Sequence, residues 1–373
     1  MLAVVSLATN VVAAFWTPTL TLRQLPQAND LWPEDLSAKG VNILAGWKQE
    51  PADSAFGELW VRESTDSGGA FAVAERLAVD PTKSARDLSI DSGGGSHWAV
   101  WSEKRPTAAF PARARIFLGA KLYGGGFWDY VPVSINADIA RHPTIAHTAG
   151  RLFVSYQARV GGAFRVIVQN ARTDEGVFSG PTNLGSAPWA NGAPHLDATN
   201  TRLYVAWSDG RIRLKRATLG GAPAHDVSWL ATQDLGEGSS PVVVAGADRV
   251  AVFYHRDGGT WVRVSQNGGA TFSAAKQLLD GDPKVFVYVP ENAAMSGPRI
   301  VLSAFGGGDA FGNQKRVSSN DGGLTWTVQT SNANFLDDRQ EAFTSEAGTP
   351  KLAEIWFADL FEDMNRIVFH REE

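Results

Sequence analysis

Leu203-Tyr204-Val205-Ala206-Trp207 is a short apolar run closed by a large aromatic, and runs of the same design recur along the chain. NILAGW ends at Trp47, HWAVW at Trp101, LFVSY at Tyr156, VAVFY at Tyr254, VLSAF at Phe305 and AEIWF at Phe357. Successive aromatics stand about 50 residues apart, a period that belongs to repeat architectures rather than to chance. Five or six residues rich in β-branched and aromatic side chains are too few for a helix and suit a buried strand. A unit this small cannot bury both faces alone, so neighbouring copies must stack.

What surrounds each copy repeats as well. Upstream lies a polar-to-apolar start, often with proline: His142-Pro143-Thr144-Ile145, Ala193-Pro194-His195-Leu196 and Ser240-Pro241-Val242-Val243, with Arg86-Asp87-Leu88 and Gln340-Glu341-Ala342 as variants. Proline is tolerated at the first residue of a strand, where no ladder donor is needed. Downstream come a third alternating strand, such as GELWVRES, RVIVQN or TWVRVS, and a weaker fourth, such as AERLAV or AAKQLL. Four strands per repeat and no sustained helical periodicity give an all-β chain. The expected architecture is a single β-propeller domain spanning 1–373 with seven four-stranded blades, six being the alternative. The last repeat stops at its third strand, Arg366-Ile367-Val368-Phe369, while the N-terminus offers a spare strand at 17–22. That strand is expected to complete the last blade and close the ring. The apolar run MLAVVSLATNVVAAFW before it has no basic residue after Met1 and reads as a strand rather than a secretion signal.

Composition removes several function classes. With 34 basic and 39 acidic residues the chain has a net charge of −5, which argues against nucleic-acid binding by phosphate neutralisation. The absence of cysteine excludes disulfides, thiolate metal sites and cysteine nucleophiles. No window approaches the roughly 18–20 apolar residues of a membrane span. Gly124-Gly125-Gly126 and Gly306-Gly307-Gly308 lack the Lys-Ser/Thr of a phosphate loop. No cofactor and no metal are expected.

Between the third and fourth strands, three repeats carry one turn motif. It reads Ser64-Thr65-Asp66-Ser67-Gly68-Gly69-Ala70-Phe71, then Ser265 to Phe272 with Asn267 and Gly269, then Ser319 to Trp326 with Asp321 and Gly323. The Asp or Asn can accept N–H groups of its own loop, glycine supplies a positive φ, and the aromatic packs between sheets. The motif resembles the Asp-box repeat of the sialidase-like β-propeller superfamily, and with the repeats the resemblance covers nearly the whole chain. It implies that these turns are structural and lie on the rim opposite the substrate face. It also implies, for true sialidases, an arginine triad, a Tyr/Glu nucleophile pair and an Asp acid. The early Arg-Ile-Pro motif of those enzymes is missing, since 29–47 contains no arginine, and sialidase catalytic domains have six blades. Relatives with seven blades include hydrolases, polysaccharide lyases and lectins, so the fold does not hand down an activity.

Propeller geometry sends the starts of the first strands and the second-to-third loops to one mouth of the central channel. That places Arg86, Asp87, Arg141, His142, His195, Asp209, His255, Arg256, Asp257, Arg339 and Glu341 there. Asp87 and Glu341 are the candidate catalytic carboxylates; Arg86, Arg141, His142, His195, Asp209, His255, Arg256 and Arg339 are candidate ligand-binding residues. Loop ion pairs and satisfied structural histidines are the competing reading of the same residues. Trp32, Trp128, Tyr130, Trp189 and Trp229 fall outside the repeat register and are candidate sugar-stacking aromatics. The expected function is recognition of a carbohydrate at the mouth; a glycoside hydrolase or polysaccharide lyase acting on an acidic glycan is the alternative, and a structural or protein-interaction propeller a further one. The expected partner is a glycan or glycoconjugate, with another protein as the alternative, in an extracellular or cell-surface setting.

Overall fold

The computed structural model describes residues 20–26, 30–50, 57–77, 84–104, 114–125, 128–134, 139–173, 177–188, 192–220, 227–281, 286–308, 315–330, 339–346, 349–360 and 364–372. These form seven antiparallel sheets arranged in a ring, a seven-bladed β-propeller with no helix among the described residues. The inner strands, in blade order, are Asp30–Lys39, Ser84–Gly93, Ala140–Thr148, His195–Thr199, Ser239–Gly246, Phe286–Ser296 and Arg339–Glu346. Each proline-marked start lies on or just before an inner strand, as the repeat predicts. Among the described residues, blade 4 alone has a divided outer edge, Val227–Trp229 and Gln233–Glu237.

The ring closes with the strand Leu20–Pro26, which pairs with Met364–Arg371 of blade 7 in the register Leu20↔Phe369 to Pro26↔Met364. The expected 17–22 overlaps it at Leu20 to Leu22; 17–19 and the apolar run before them lie outside the described residues.

Burial explains why the second strand of each repeat is so apolar. Both of its faces are covered, one by each neighbouring blade, and alternate side chains enter different seams. Trp47 packs with Ile367 and Phe369 of blade 7, Trp101 with Leu59 and Leu77 of blade 1, Tyr156 with Val100 and Ile116 of blade 2, and Trp207 with Phe153 and Val166 of blade 3. In these four repeats the closing aromatic faces the preceding blade, and Tyr254 does the same against Tyr204 and Leu214 of blade 4.

The three Ser-x-Asp/Asn turns lock onto the same preceding blade. In each, the serine Oγ donates to the Asp or Asn, at 2.7, 2.9 and 2.8 Å for Ser64, Ser265 and Ser319. The same Oγ accepts the N–H of Gly68, Gly269 or Gly323 at 2.8 Å. The closing aromatics dock outward from the turn: Phe71 edge-on to Phe369, and Trp326 edge-on to Phe253. Asp321 accepts from the Leu324 and Thr325 amides and the Thr325 hydroxyl, which hold its carboxyl well below the usual range.

Candidate functional site

Every inner strand is the edge of its own sheet, so its outer N–H groups face the channel seam without a ladder partner. Carboxylates supply the missing acceptors across three seams. Asp35 Oδ2 accepts from Ile90 N–H at 2.6 Å, Asp91 Oδ2 from His147 N–H at 2.5 Å, and Asp197 Oδ2 from Ala245 N–H at 2.7 Å. The other oxygen of each takes the next amide of its own strand, from Leu36, Ser92 and Ala198. Glu34 receives Leu88 N–H in the same manner, and the His195 ring Nδ1 receives Val243 N–H at 3.4 Å.

These side chains line the channel, and desolvation dominates their titration. Burial pushes the carboxyls of Asp35 and Asp91 up to about 6 and that of Asp197 up to about 7, against the amide hydrogen bonds that pull them down. Burial likewise lowers His195 to about 4, so it is neutral, with Nε2–H left as a donor.

A raised carboxyl pKa means that the folded state keeps a proton the unfolded chain has lost. For Asp197 this costs nothing below about pH 4, grows as pH rises, and is complete above about pH 7. Asp197→Asn removes that cost. The stability of the variant relative to wild type is therefore expected to improve by about 2–3 kcal/mol between pH 4 and pH 8, a figure reduced for water in the channel. The asparagine starts from a deficit, because its amide faces either the Ala198 or the Ala245 N–H. Buried histidines titrate with the opposite sign, so the difference between two urea-unfolding series isolates Asp197. Parallel series would refute the shift.

Five of the seven inner strands slip register at one place, between Pro33 and Asp35, Arg86 and Ser89, Arg141 and Thr144, Ser239 and Val242, and Pro290 and Asn292. Such bulges re-aim side chains. At three of them a non-glycine residue is forced to positive φ: Asp87 at 56°, His142 at 48° and Ser240 at 48°. All three line one cavity of about 330 Å³ at the mouth. A second chamber of about 620 Å³ continues down the channel, sharing Asp35, Ser89, Thr144, His195 and Asn292 in its wall.

Asp87 is held firmly there. Its Oδ2 accepts from Ser102 Oγ at 2.7 Å and from His142 N–H at 3.3 Å, while Oδ1 stands 3.6 Å from His142 Nδ1, longer than a hydrogen bond. His142 is lowered by burial and by Arg141 and Arg86, with Asp87 opposing. The pair is thus a fixed carboxylate beside a neutral imidazole, a combination able to orient a hydroxyl or move a proton.

The remaining predicted residues go elsewhere. Arg141 is largely buried, donates to Gln157 Oε1 at 3.2 Å and lies over Phe164; burial lowers it to about 10. Arg86 has a buried Nε with no hydrogen-bond partner and does not line the cavity. Asp209 joins an exposed network with Arg213, Asp234 and Arg211. Arg256 pairs with Asp257 and covers Trp261, and His255 Nδ1 meets Ser239 Oγ at 3.2 Å. The backbones of Arg339 and Glu341 lie on the inner strand of blade 7, while their side chains lie outside the described residues, as does Trp189. Trp32 is partly exposed, Trp128 donates to Glu75, Tyr130 meets Trp101 edge-on, and Trp229 lies under Lys215.

Glu34, Asp35, Glu291 and Asn292 line the mouth and were not among the candidates. A signal for them existed: Pro33-Glu34-Asp35 and Pro290-Glu291-Asn292 repeat the proline-marked start of the other inner strands. Among the described residues no group of three His, Asp or Glu is placed to hold a metal ion. No described helix is long and apolar enough to cross a membrane.

No protein family and no curated protein matches the chain by sequence. Solved structures do match. The polysaccharide lyase Uly1 aligns at a TM-score of 0.54 and 9% identity, over 92% of this chain and 90% of its own. The hemagglutinin-neuraminidase ectodomain of parainfluenza virus 5 aligns at 0.51 and 8%, over 96% and 82%. Trypanosoma rangeli sialidase, bound to the inhibitor DANA, aligns at 0.50 and 11%, over 92% of this chain and 55% of its own, so the chain spans about half of that enzyme. These likenesses define the fold as a sialidase-like β-propeller.

Proposed function

We propose that the protein recognises a carbohydrate at the channel mouth. The reading is carried by the convergence of Asp87, His142 and Ser240, three residues in strained backbone from three blades, on one cavity. Strain of this kind persists only where the surroundings enforce it, and it concentrates at binding and catalytic sites. The rigid ring fixes these groups before a ligand arrives, which lowers the ordering cost of binding. Support also comes from the structures of similar fold, which are those of a polysaccharide lyase, a hemagglutinin-neuraminidase and a sialidase. An extracellular or cell-surface setting accompanies this reading.

The Asp87–His142 pair favours a second reading, in which a bound glycan is cleaved with this pair as acid or base. A glycan array and a panel of chromogenic glycosides and uronides, run on wild type and Asp87→Asn, separate the two. Binding without turnover is the expected result. Turnover that falls at least a hundredfold in the variant would establish the cleaving enzyme, and no glycan bound at all would overturn the recognition reading.

A further inference from the structure

We propose that the seam between blades 2 and 3 holds a second binding site, which takes an uncharged, largely apolar small molecule of a few rings. A cavity of about 650 Å³ opens there beside the outer strands, and it shares no lining residue with the channel mouth. The inference therefore stands apart from the carbohydrate reading. Val131, Pro132 and Val133 of blade 2 form one side, and Tyr156, Ala158 and Ile167 of blade 3 the other. Val133, Tyr156, Ala158 and Ile167 belong to the buried core of this seam, so the cavity is a gap in the core and not a patch on the surface.

A change of sequence in the turn of blade 3 accompanies the gap. In blades 1 and 5 the residue after the closing aromatic of the Ser-x-Asp/Asn turn donates back to the third strand, Ala72 N–H to Glu63 O at 2.8 Å and Ser273 N–H to Val264 O at 2.9 Å. Ser179 N–H donates to Asn170 O at 2.7 Å over the same spacing, which makes Phe178 the equivalent of Phe71 and Phe272. Ala171 then stands where those turns have Ser64 and Ser265, and Thr173 where they have Asp66 and Asn267. Ala171 has no hydroxyl to accept the glycine N–H that ties the other turns down. Phe178 packs on the seam core and lines the cavity beside exposed Val177.

The chemistry of the wall selects the ligand. None of the described lining residues is charged. The polar side chains there are already engaged: Tyr156 Oη donates to Gln169 Oε1 at 2.6 Å, Gln169 Nε2 to Ser179 O at 3.0 Å, and the Ser179 hydroxyl to Asn170 Oδ1. Asn183 Oδ1 accepts from Gly185 N–H at 3.0 Å. Burial pushes the Tyr156 phenol far above its ordinary range, so it stays neutral. Water in such a cavity finds few partners, and displacing poorly held water by an apolar group gains affinity. Ligand cavities are about 300–1,000 Å³, and about 150 Å³ of apolar space takes a benzene, so this one has room for several rings. A charged ligand would lose its hydration there with no counter-charge from the described wall.

The test titrates the full chain with N-phenylnaphthylamine, a neutral dye of three aromatic rings, followed by its fluorescence at about 0.02 and 0.3 M salt. One saturable site per chain is expected, with less than about a twofold change between the two salts because the dye carries no charge. Anilinonaphthalene sulfonate, the same ring system with an added anion, should bind at least about fivefold more weakly. Ala158→Met extends a lining side chain into the cavity and should weaken the neutral dye at least about tenfold. Val177→Asp, at an exposed position that does not endanger folding, should weaken it severalfold and decides the matter if the first variant does not fold. Leu324→Asp removes an exposed apolar side chain of blade 6 and should leave binding within about twofold, as expected of a site this far from it. Loss confined to the cavity variants supports the site. No saturable binding, tighter binding of the sulfonate, unchanged binding in the cavity variants, or an equal loss in Leu324→Asp overturns it.

Discussion

Replacing Lys121 by methionine is expected to lower the stability of the protein by about 3–5 kcal/mol. Lys121 is almost fully buried at the seam of blades 1 and 2, where its ammonium lies 3.3 Å from Glu63 Oε2 and in direct contact with Glu75. Glu63 is equally buried; its Oε1 also accepts from Gly124 N–H at 2.7 Å and from His97 Nε2 at 3.2 Å. His97 completes the chain through Nδ1, which takes the Ser92 hydroxyl at 2.8 Å. The order serine, histidine, glutamate invites comparison with a hydrolase triad, but Ser92 and His97 are shut away from solvent and His97 is pushed down to about 4 by burial. The network is a structural lock. Methionine keeps the volume of Lys121 and leaves Glu63 as a buried charge without its cation, which is the source of the loss.

A double-mutant cycle checks the cause. Glu63→Gln with Lys121→Met makes the seam neutral and should restore most of the stability, with a coupling of about 2 kcal/mol or more in urea unfolding. Additive losses would mean that the pair is not a unit.

Gly68→Ala is expected to cost about 2–4 kcal/mol, from positive-φ strain together with overpacking. Gly68 sits at φ 86°, and a Cβ there would come within 2.4 Å of the Phe369 ring, which is fully buried in the seam with blade 7. Gly95 has the same φ of 86° with nothing near its Cβ position, so Gly95→Ala should cost only about 1–2 kcal/mol. Equal losses at the two sites would show that the turn does not press on its neighbour. The same contact recurs at Gly323 against Val264 and at Gly269 against Tyr204, at 2.8 and 3.0 Å. The repeated glycine thus serves the turn and the seam at once.

The seam-facing half of this protein was legible in its sequence. Trp47, Trp101, Tyr156 and Trp207 announce the blades because apolar burial at a fixed place in every repeat leaves a periodic trace. The turns did so too, since Ser64, Asp66 and Gly68 interact within five residues. The polar interior was not legible, for two physical reasons. Asp35, Asp91 and Asp197 are buried against backbone amides of the next blade, a partner that carries no residue-type signature. Glu63, His97 and Lys121 meet across two repeats, with His97 34 residues from Glu63. Asp209 and Arg256 follow or end second strands, as the repeat implies, but their charges are satisfied locally, by Arg213 and Asp257.

The pairing of Leu20–Pro26 with Met364–Arg371 has a consequence for how the chain comes into being. On the ribosome, the strand holding Leu20 emerges long before its partner Phe369 exists, and waits while the intervening blades form one after another. Until they meet, the growing arc carries two raw ends, with Trp47 on one side and nothing against it. Closing so large a loop adds little to the entropy cost, which grows only with the logarithm of its length, but contacts this distant in sequence form slowly. The arc is therefore most open to aggregation in the interval just before its last strand is released.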